Sequence, residues 1–289
     1  VVEKKKKPVI TMVDLTATNS KKIFDPLLFG LLRAKTPHKH EDPVQLMVQN
    51  FCDKQEVGHI SDDVGNIFVT IGKSKTLFSC HMDTVHSNPG TLDLHITTGP
   101  KEKHKGLVFA TQDGKGSVLG ADDKLGVWIM LKMIEAKIPG MYVFHVGEES
   151  GRVGSKFIAA QMPKMLKKYD RAVAFDRMNY TDVITSQTGG TCCSTEFTKA
   201  LSEQLNAALK RKNKKKKLKY SFKGARGAFT DTATYMKLIP ECTNLSVGYF
   251  SQHMHSKRFD WVWLSTKLLP ILLQVDLESL PTKRDPTLV

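Results

Sequence analysis

Apolar positions along this chain alternate between short continuous runs and stretches with a three-to-four-residue rhythm. The runs at 58–61, 66–71, 76–81, 141–146, 171–175, 182–186 and 242–247 predict strands, several of them apolar on both faces, as strands buried in a parallel sheet are. Helical spacing predicts helices over 24–33 and 43–52, the second preceded by Glu41 and Asp42, whose negative charge favours a first turn. Segments 93–96 and 106–110 predict a hairpin across Gly99-Pro100. Segment 125–136 is apolar on nearly every side, which predicts a helix buried against a sheet. Another helix starts at Gly154, and Phe197, Leu201, Leu205 and Leu209 form one stripe of an amphipathic helix. Helices over 231–237 and 261–273 flank the last strand. Strands alternating with helices predict the α/β class: a three-layer α/β/α sandwich around a mixed, mostly parallel sheet.

Composition and charge narrow this picture. At 289 residues, with 40% hydrophobic and 25% charged, the chain can bury a sizeable core. No apolar run approaches the roughly 18 residues that span a bilayer, and the N-terminal segment has no apolar signal core, so a soluble protein is expected. Five cysteines (Cys52, Cys80, Cys192, Cys193 and Cys242) show no CxxC spacing, which argues against a disulfide framework and for a reducing, cytoplasmic compartment. The net charge of +14 falls to +2 once Lys4–Lys7 and the eight basic residues of 210–219 are set aside. The expected organisation is a basic tail at 1–8 and one catalytic domain over 9–289, with a lysine-rich loop at about 210–219. Neither basic run is interleaved with aromatics, so contact with nucleic acid or another polyanion is possible but not favoured.

The chemistry concentrates where predicted strands end. His81-Met82-Asp83, Gly120-Ala121-Asp122-Asp123-Lys124, Glu148-Glu149, Asp176 and His253 each follow or end an apolar run, and together describe a two-metal hydrolase site. In an open α/β sheet, reactive groups gather at the carboxyl ends of strands. His81 and Asp83, two apart on extended chain, face the same way, so Asp83 can accept a hydrogen bond from the ring nitrogen that His81 does not use for metal. Helix capping explains one acid of Asp122-Asp123 but hardly both. Adjacent Glu148 and Glu149 repel unless a cation or different tasks separate them, which suggests one ligand and one proton carrier.

In SCHMDTVH, LGADDKLG, VGEESGRVGS and SVGYFSQHMH the chain resembles the co-catalytic dizinc exopeptidases, the family of bacterial leucyl aminopeptidases and peptidase T-like enzymes, over roughly residues 57–275. That resemblance implies two Zn2+ ions, with Co2+ or Mn2+ as substitutes. His81, Asp122 and Asp176 would hold one, and Asp122, Glu149 and His253 the other, with Glu148 as general base and Asp83 as its catalytic companion behind His81. It implies a metallopeptidase, most simply an aminopeptidase hydrolysing short peptides through a metal-bridging water. An amidohydrolase acting on N-acyl or other non-peptide amides would use the same groups. A non-catalytic protein keeping the fold, with the lysine runs as its working surface, is the remaining alternative. Two assignments stay open: His255 competes with His253, since Lys257 stands where relatives often carry an acid, and Asp123 competes with Asp122 as the bridge. The stretch 177–252 leaves no room for the lid domain of some relatives, so an open site is expected.

Overall fold

The structure is a computed structural model describing residues 11–16, 23–98, 106–187, 190–212, 220–256 and 258–288. Its elements, in chain order, begin with strand β1 (Thr11–Leu15), helix α1 (Pro26–Arg33), β2 (Ala34–Lys35), α2 (Asp42–Lys54), β3 (His59–Ser61), β4 (Ile67–Ile71) and β5 (Thr76–His81). There follow β6 (Gly90–Thr91), β7 (Asp93–Thr98), β8 (Leu107–Gln112), β9 (Lys115–Ser117), α3 (Ala121–Glu135), β10 (Gly140–His145), α4 (Val153–Gln161) and α5 (Pro163–Leu166). The remainder is β11 (Arg171–Arg177), β12 (Asp182–Gln187), β13 (Gly190–Thr191), α6 (Thr195–Lys212), β14 (Lys223–Arg226), α7 (Asp231–Thr234), β15 (Glu241–Ser246), β16 (Tyr249–Phe250), β17 (Arg258–Asp260), α8 (Trp261–Trp263) and α9 (Leu269–Leu272).

The central sheet runs β13-β12-β15-β11-β5-β10-β4-β3, with β14 beside β12. Its middle, β15-β11-β5-β10, is parallel, and β4, β3 and β12 add antiparallel pairs outside it. Every residue of β5 and β15 is buried, polar ones such as Ser79, Glu241, Thr243 and Asn244 included. Helices cover the sheet as expected for the three-layer α/β/α class: α3 lies against β5 and β11, and α7 against β5, β11 and β15. Nearly all of α3 is buried, from Ala121 through Ile134. A buried lysine ties it down, for Lys124 Nζ donates to Leu31 O (3.2 Å) and Ala34 O (2.8 Å), carbonyls at the end of α1.

A second, antiparallel sheet lies outside the sequence expectations. It runs β1-β7-β8-β17-β16 with β9 on β8, joining the anticipated hairpin of β7 and β8 to β1 and to the strands after β15. Its loop brings in His253. The helix expected over 231–237 ends at Thr234. The helix expected over 261–273 is interrupted by a π-helical stretch, Leu264–Leu268, just before Pro270, which has no N–H to give the ladder. The lysine-rich segment departs from expectation at its start, since α6 carries Lys210 and Arg211 as helix rather than loop. Residues 213–219, Lys4–Lys7 and Lys257 lie outside the described residues.

Candidate active site

At the carboxyl end of β5, His81 is almost wholly buried, and β10 leaves the sheet beside it, with Met82 N bonded to His145 O at 2.9 Å. Asp83 then joins two elements. Its Oδ1 lies 3.2 Å from His81 Nδ1 and accepts from Glu148 N at 2.9 Å, while Oδ2 accepts from Glu149 N at 3.0 Å. One carboxylate thus orients the histidine ring and fixes the loop carrying both glutamates. Burial alone would raise the Asp83 carboxyl, but His81 and the two amides outweigh it and hold the group below its usual range. Gly147, with φ of 63°, lets this loop turn; a Cβ there would meet His38 Nδ1 at 2.7 Å.

The pair Asp122-Asp123 precedes the regular part of α3. Gly120 is left-handed, both aspartates have non-helical dihedrals, and the peptide between them is cis. Their carboxylates do different work. Asp123 accepts from Gly126 N (3.0 Å) and from His81 N (3.2 Å), clamping α3 to β5, and a Cβ at Gly126 would lie 2.4 Å from its Oδ1. Asp122 faces the cluster instead: Oδ1 is 3.3 Å from His81 Nε2 and Oδ2 is 3.3 Å from His253 Nε2.

The remaining groups close in from three directions. Asp176, in β11, places Oδ1 3.7 Å from His81 Nε2; Oδ2 accepts from Thr230 Oγ1 at 2.8 Å, and the backbone N and O are held by Asn244 Oδ1 (2.9 Å) and Tyr249 OH (3.0 Å). Glu149 Oε1 lies 2.9 Å from His253 Nε2. Ligand atoms of His81, Asp122 and Asp176 lie within 4.8 Å of one another, as do those of Asp122, Glu149 and His253, and those of His81, Glu148 and Glu149. All seven expected residues are therefore in one place. His255 is not: it turns to Gly116 O at 3.0 Å. Thr230, Asn244 and Tyr249 were not among the residues expected at the site.

The electrostatics bear on what this donor set can hold. Burial, then Asp122, drives the Asp176 carboxyl up to about 8. Burial drives Glu148 up to about 9, with Asp231, Asp176 and Glu149 adding to it and His81 opposing. Burial would lower His81, but Asp122, Asp176 and Asp83 hold it well above its ordinary value, while Asp122 and Glu149 raise His253 to about 10. Among the described residues Asp176 Oδ1 is buried without a hydrogen-bond donor, and Glu149 Oε1 is buried against the His253 ring. Crowded acids of this kind hold protons for want of other positive charge, and the donor set of imidazoles and carboxylates suits divalent ions such as zinc, cobalt or manganese.

Comparisons with known proteins bear on the fold and the family. The chain resembles the solved structures of aminopeptidase PepT from Bacillus cereus (17% identity, TM-score 0.61, covering 87% of this chain and 96% of that one) and of a tripeptidase from Staphylococcus aureus (17%, 0.62, 86% and 96%). The Pyrococcus horikoshii TET1 peptidase, which can assemble into a tetrahedron or a large octahedral shell, is similar at 15% identity (TM-score 0.58, 86% and 98%). At these identities the likeness establishes the fold. No curated protein sequence matches the chain. The model of the M42 glutamyl aminopeptidase family matches residues 104–260, a stretch that includes Asp122, Glu148, Glu149, Asp176 and His253. With more than half its length matched, the chain belongs to the M42 glutamyl aminopeptidase family and is a metallopeptidase.

Proposed function

We propose that this metallopeptidase is a dizinc aminopeptidase removing N-terminal residues from short peptides. The observation that carries the reading is Asp122, whose two oxygens each face a different histidine at 3.3 Å. His81 and Asp176 would share one ion with Asp122, and Glu149 and His253 the other. Such a pair of ions supplies Lewis acidity to the scissile carbonyl and lowers the pKa of water towards about 7. The chain's own residues do the rest. Asp83 fixes the ring of His81 and the loop of Glu148, so that base and ligands keep one geometry. Glu148 takes the proton from the attacking water and delivers it to the leaving amine; positive charge beside it brings its carboxyl down from the bare-site value of about 9. The five free cysteines, all buried, suit a reducing cytoplasm.

Glu148→Gln keeps shape but removes the proton acceptor, so bound metal should persist while turnover of a dipeptide falls by roughly 10²–10⁴. Glu149→Gln should weaken metal binding instead, and added zinc should restore part of the activity. Metal content by elemental analysis, read beside turnover, separates the two variants. Full hydrolysis by Glu148→Gln would end the assignment of this pair as the catalytic centre, and hydrolysis of N-acyl amides alone would replace the aminopeptidase with an amidohydrolase.

A further inference from the structure

Arg152 follows the site glutamates in the same tight loop. Gly151 N and Arg152 N both bond to Glu148 O at 2.9 Å, and Arg152 itself is left-handed, with φ of 61°, at the entrance to α4. Its guanidinium lies 4.8 Å from the ring centroid of Phe229, a residue 61% exposed. Phe229 lines the same depression as Asp176, together with Gln187 and Gln252. The side chain therefore reaches from the loop of one pair of site carboxylates to the loop whose Thr230 holds another.

A guanidinium so placed would be expected to pair with an acid, since the site holds six carboxylates. It does not. Among the described residues its one hydrogen bond is from Nη1 to Thr234 Oγ1 at 3.3 Å, and no carboxylate lies within ion-pair distance of it. Four of five N–H donors are left for an incoming group, and a ring beneath a guanidinium fixes the plane in which it offers its fork. Planar, two-pronged recognition of this kind fits a carboxylate.

We propose that Arg152, on its Phe229 platform, is the specificity-determining residue that binds a carboxylate of the peptide substrate. This rests on the aminopeptidase reading above. The Cα of Arg152 is three residues from that of Glu149, at most about 11 Å even for extended chain, and the side chain extends the reach further, so the carboxylate it binds belongs to one of the few residues around the cleaved bond. Two sources meet that condition: the C-terminus of a di- or tripeptide, and the side chain of an acidic residue next to the bond.

The test compares metal-loaded wild type with Arg152→Met, which keeps a stem for Phe229 and removes the charge, on Leu-Gly, Leu-Gly amide and Glu-Gly amide. The kcat/KM for a carboxylate-bearing substrate should fall about 10–100-fold, mostly through KM, while Leu-Gly amide changes less than about threefold. A loss confined to Leu-Gly identifies the C-terminal carboxylate; a loss confined to Glu-Gly amide identifies the acidic side chain. An unchanged ratio of acid to amide substrates in the variant overturns the assignment, as does a wild type that gains nothing from a carboxylate. If Arg152→Met fails to fold, Arg152→Lys carries the test: loss of the fork should cost about 3–10-fold on the carboxylate substrate alone, and wild-type kinetics would overturn the proposal. If the wild type cleaves no peptide, the aminopeptidase reading falls, and calorimetric affinities of Leu-Gly and its amide for wild type and Arg152→Met still decide whether Arg152 binds the carboxylate.

Discussion

At the scale of single residues, Lys124 shows how the site's scaffold constrains its charge. Burial pulls its amine down to about 7 against Asp83, which acts the other way. The unfolded lysine keeps its proton to about 10.5, so between about pH 7 and 10.5 the unfolded chain binds more protons than the folded one, and this residue's contribution to stability improves as pH rises. Below pH 7 the burial penalty is present in full. Lys124→Met removes that penalty but leaves Leu31 O and Ala34 O without a donor, a cost of about 1–3 kcal/mol at every pH. Denaturant melts at pH 7 and 9.5 should therefore show wild type gaining on Lys124→Met by roughly 1–3 kcal/mol at the higher pH. A difference that stays flat would mean the amine keeps its charge in the fold. The neighbouring aspartates show where residue-level reading stops. That one of Asp122 and Asp123 caps α3 follows from sequence, but which one depends on backbone dihedrals that turn the two carboxylates apart, and no spacing rule encodes those.

At the scale of elements, the chain after α9 straps the amino ends of the central strands. Arg284 donates to Met236 O (2.6 Å), Ile239 O (2.7 Å) and Pro240 O, the turn that launches β15, while buried Glu241 accepts from Lys283 N (2.7 Å) and Arg284 N (3.1 Å). Glu278 does the same for β5, accepting from Ser74 Oγ (2.6 Å) and Thr76 Oγ1 (2.8 Å). Because the reactive groups sit at the opposite ends of these strands, Arg284→Ala should lower stability by about 2–4 kcal/mol through orphaned carbonyls yet leave metal content and turnover at 25 °C intact. Loss of metal in a folded Arg284→Ala protein would refute that separation. The strap was not legible in the sequence, nor was the second sheet. Central strands such as β10 and β11 announce themselves because both faces are buried and their residues are mostly apolar. By contrast β9, β16 and β17 are only two or three residues long, and become strands because β8 comes alongside β9 and β17, and β17 alongside β16. His253 was legible from the run before it, but the left-handed turn that aims it, with φ of 57°, was not.

At the scale of the whole molecule, the site and the fold share one free energy. Side chains from β5, β11, the start of α3 and two loops converge and repel or hold protons on their own, so divalent metal should bind the folded chain far better than the unfolded one. Zinc at a hundred times its dissociation constant should then add about 2.7 kcal/mol per independent site, a rise of several degrees in melting temperature that chelation reverses. Glu148→Gln, which keeps all five proposed ligands, should retain the shift. Asp122→Ala should lose all of it, because each ion loses a ligand and their mutual repulsion is no longer offset by a shared carboxylate between His81 and His253. Melting curves with and without zinc, beside elemental analysis of the same samples, make the comparison. If Asp122→Ala kept one tightly held ion and half the shift, the two ions would be independent and the shared carboxylate would have no part in holding the second.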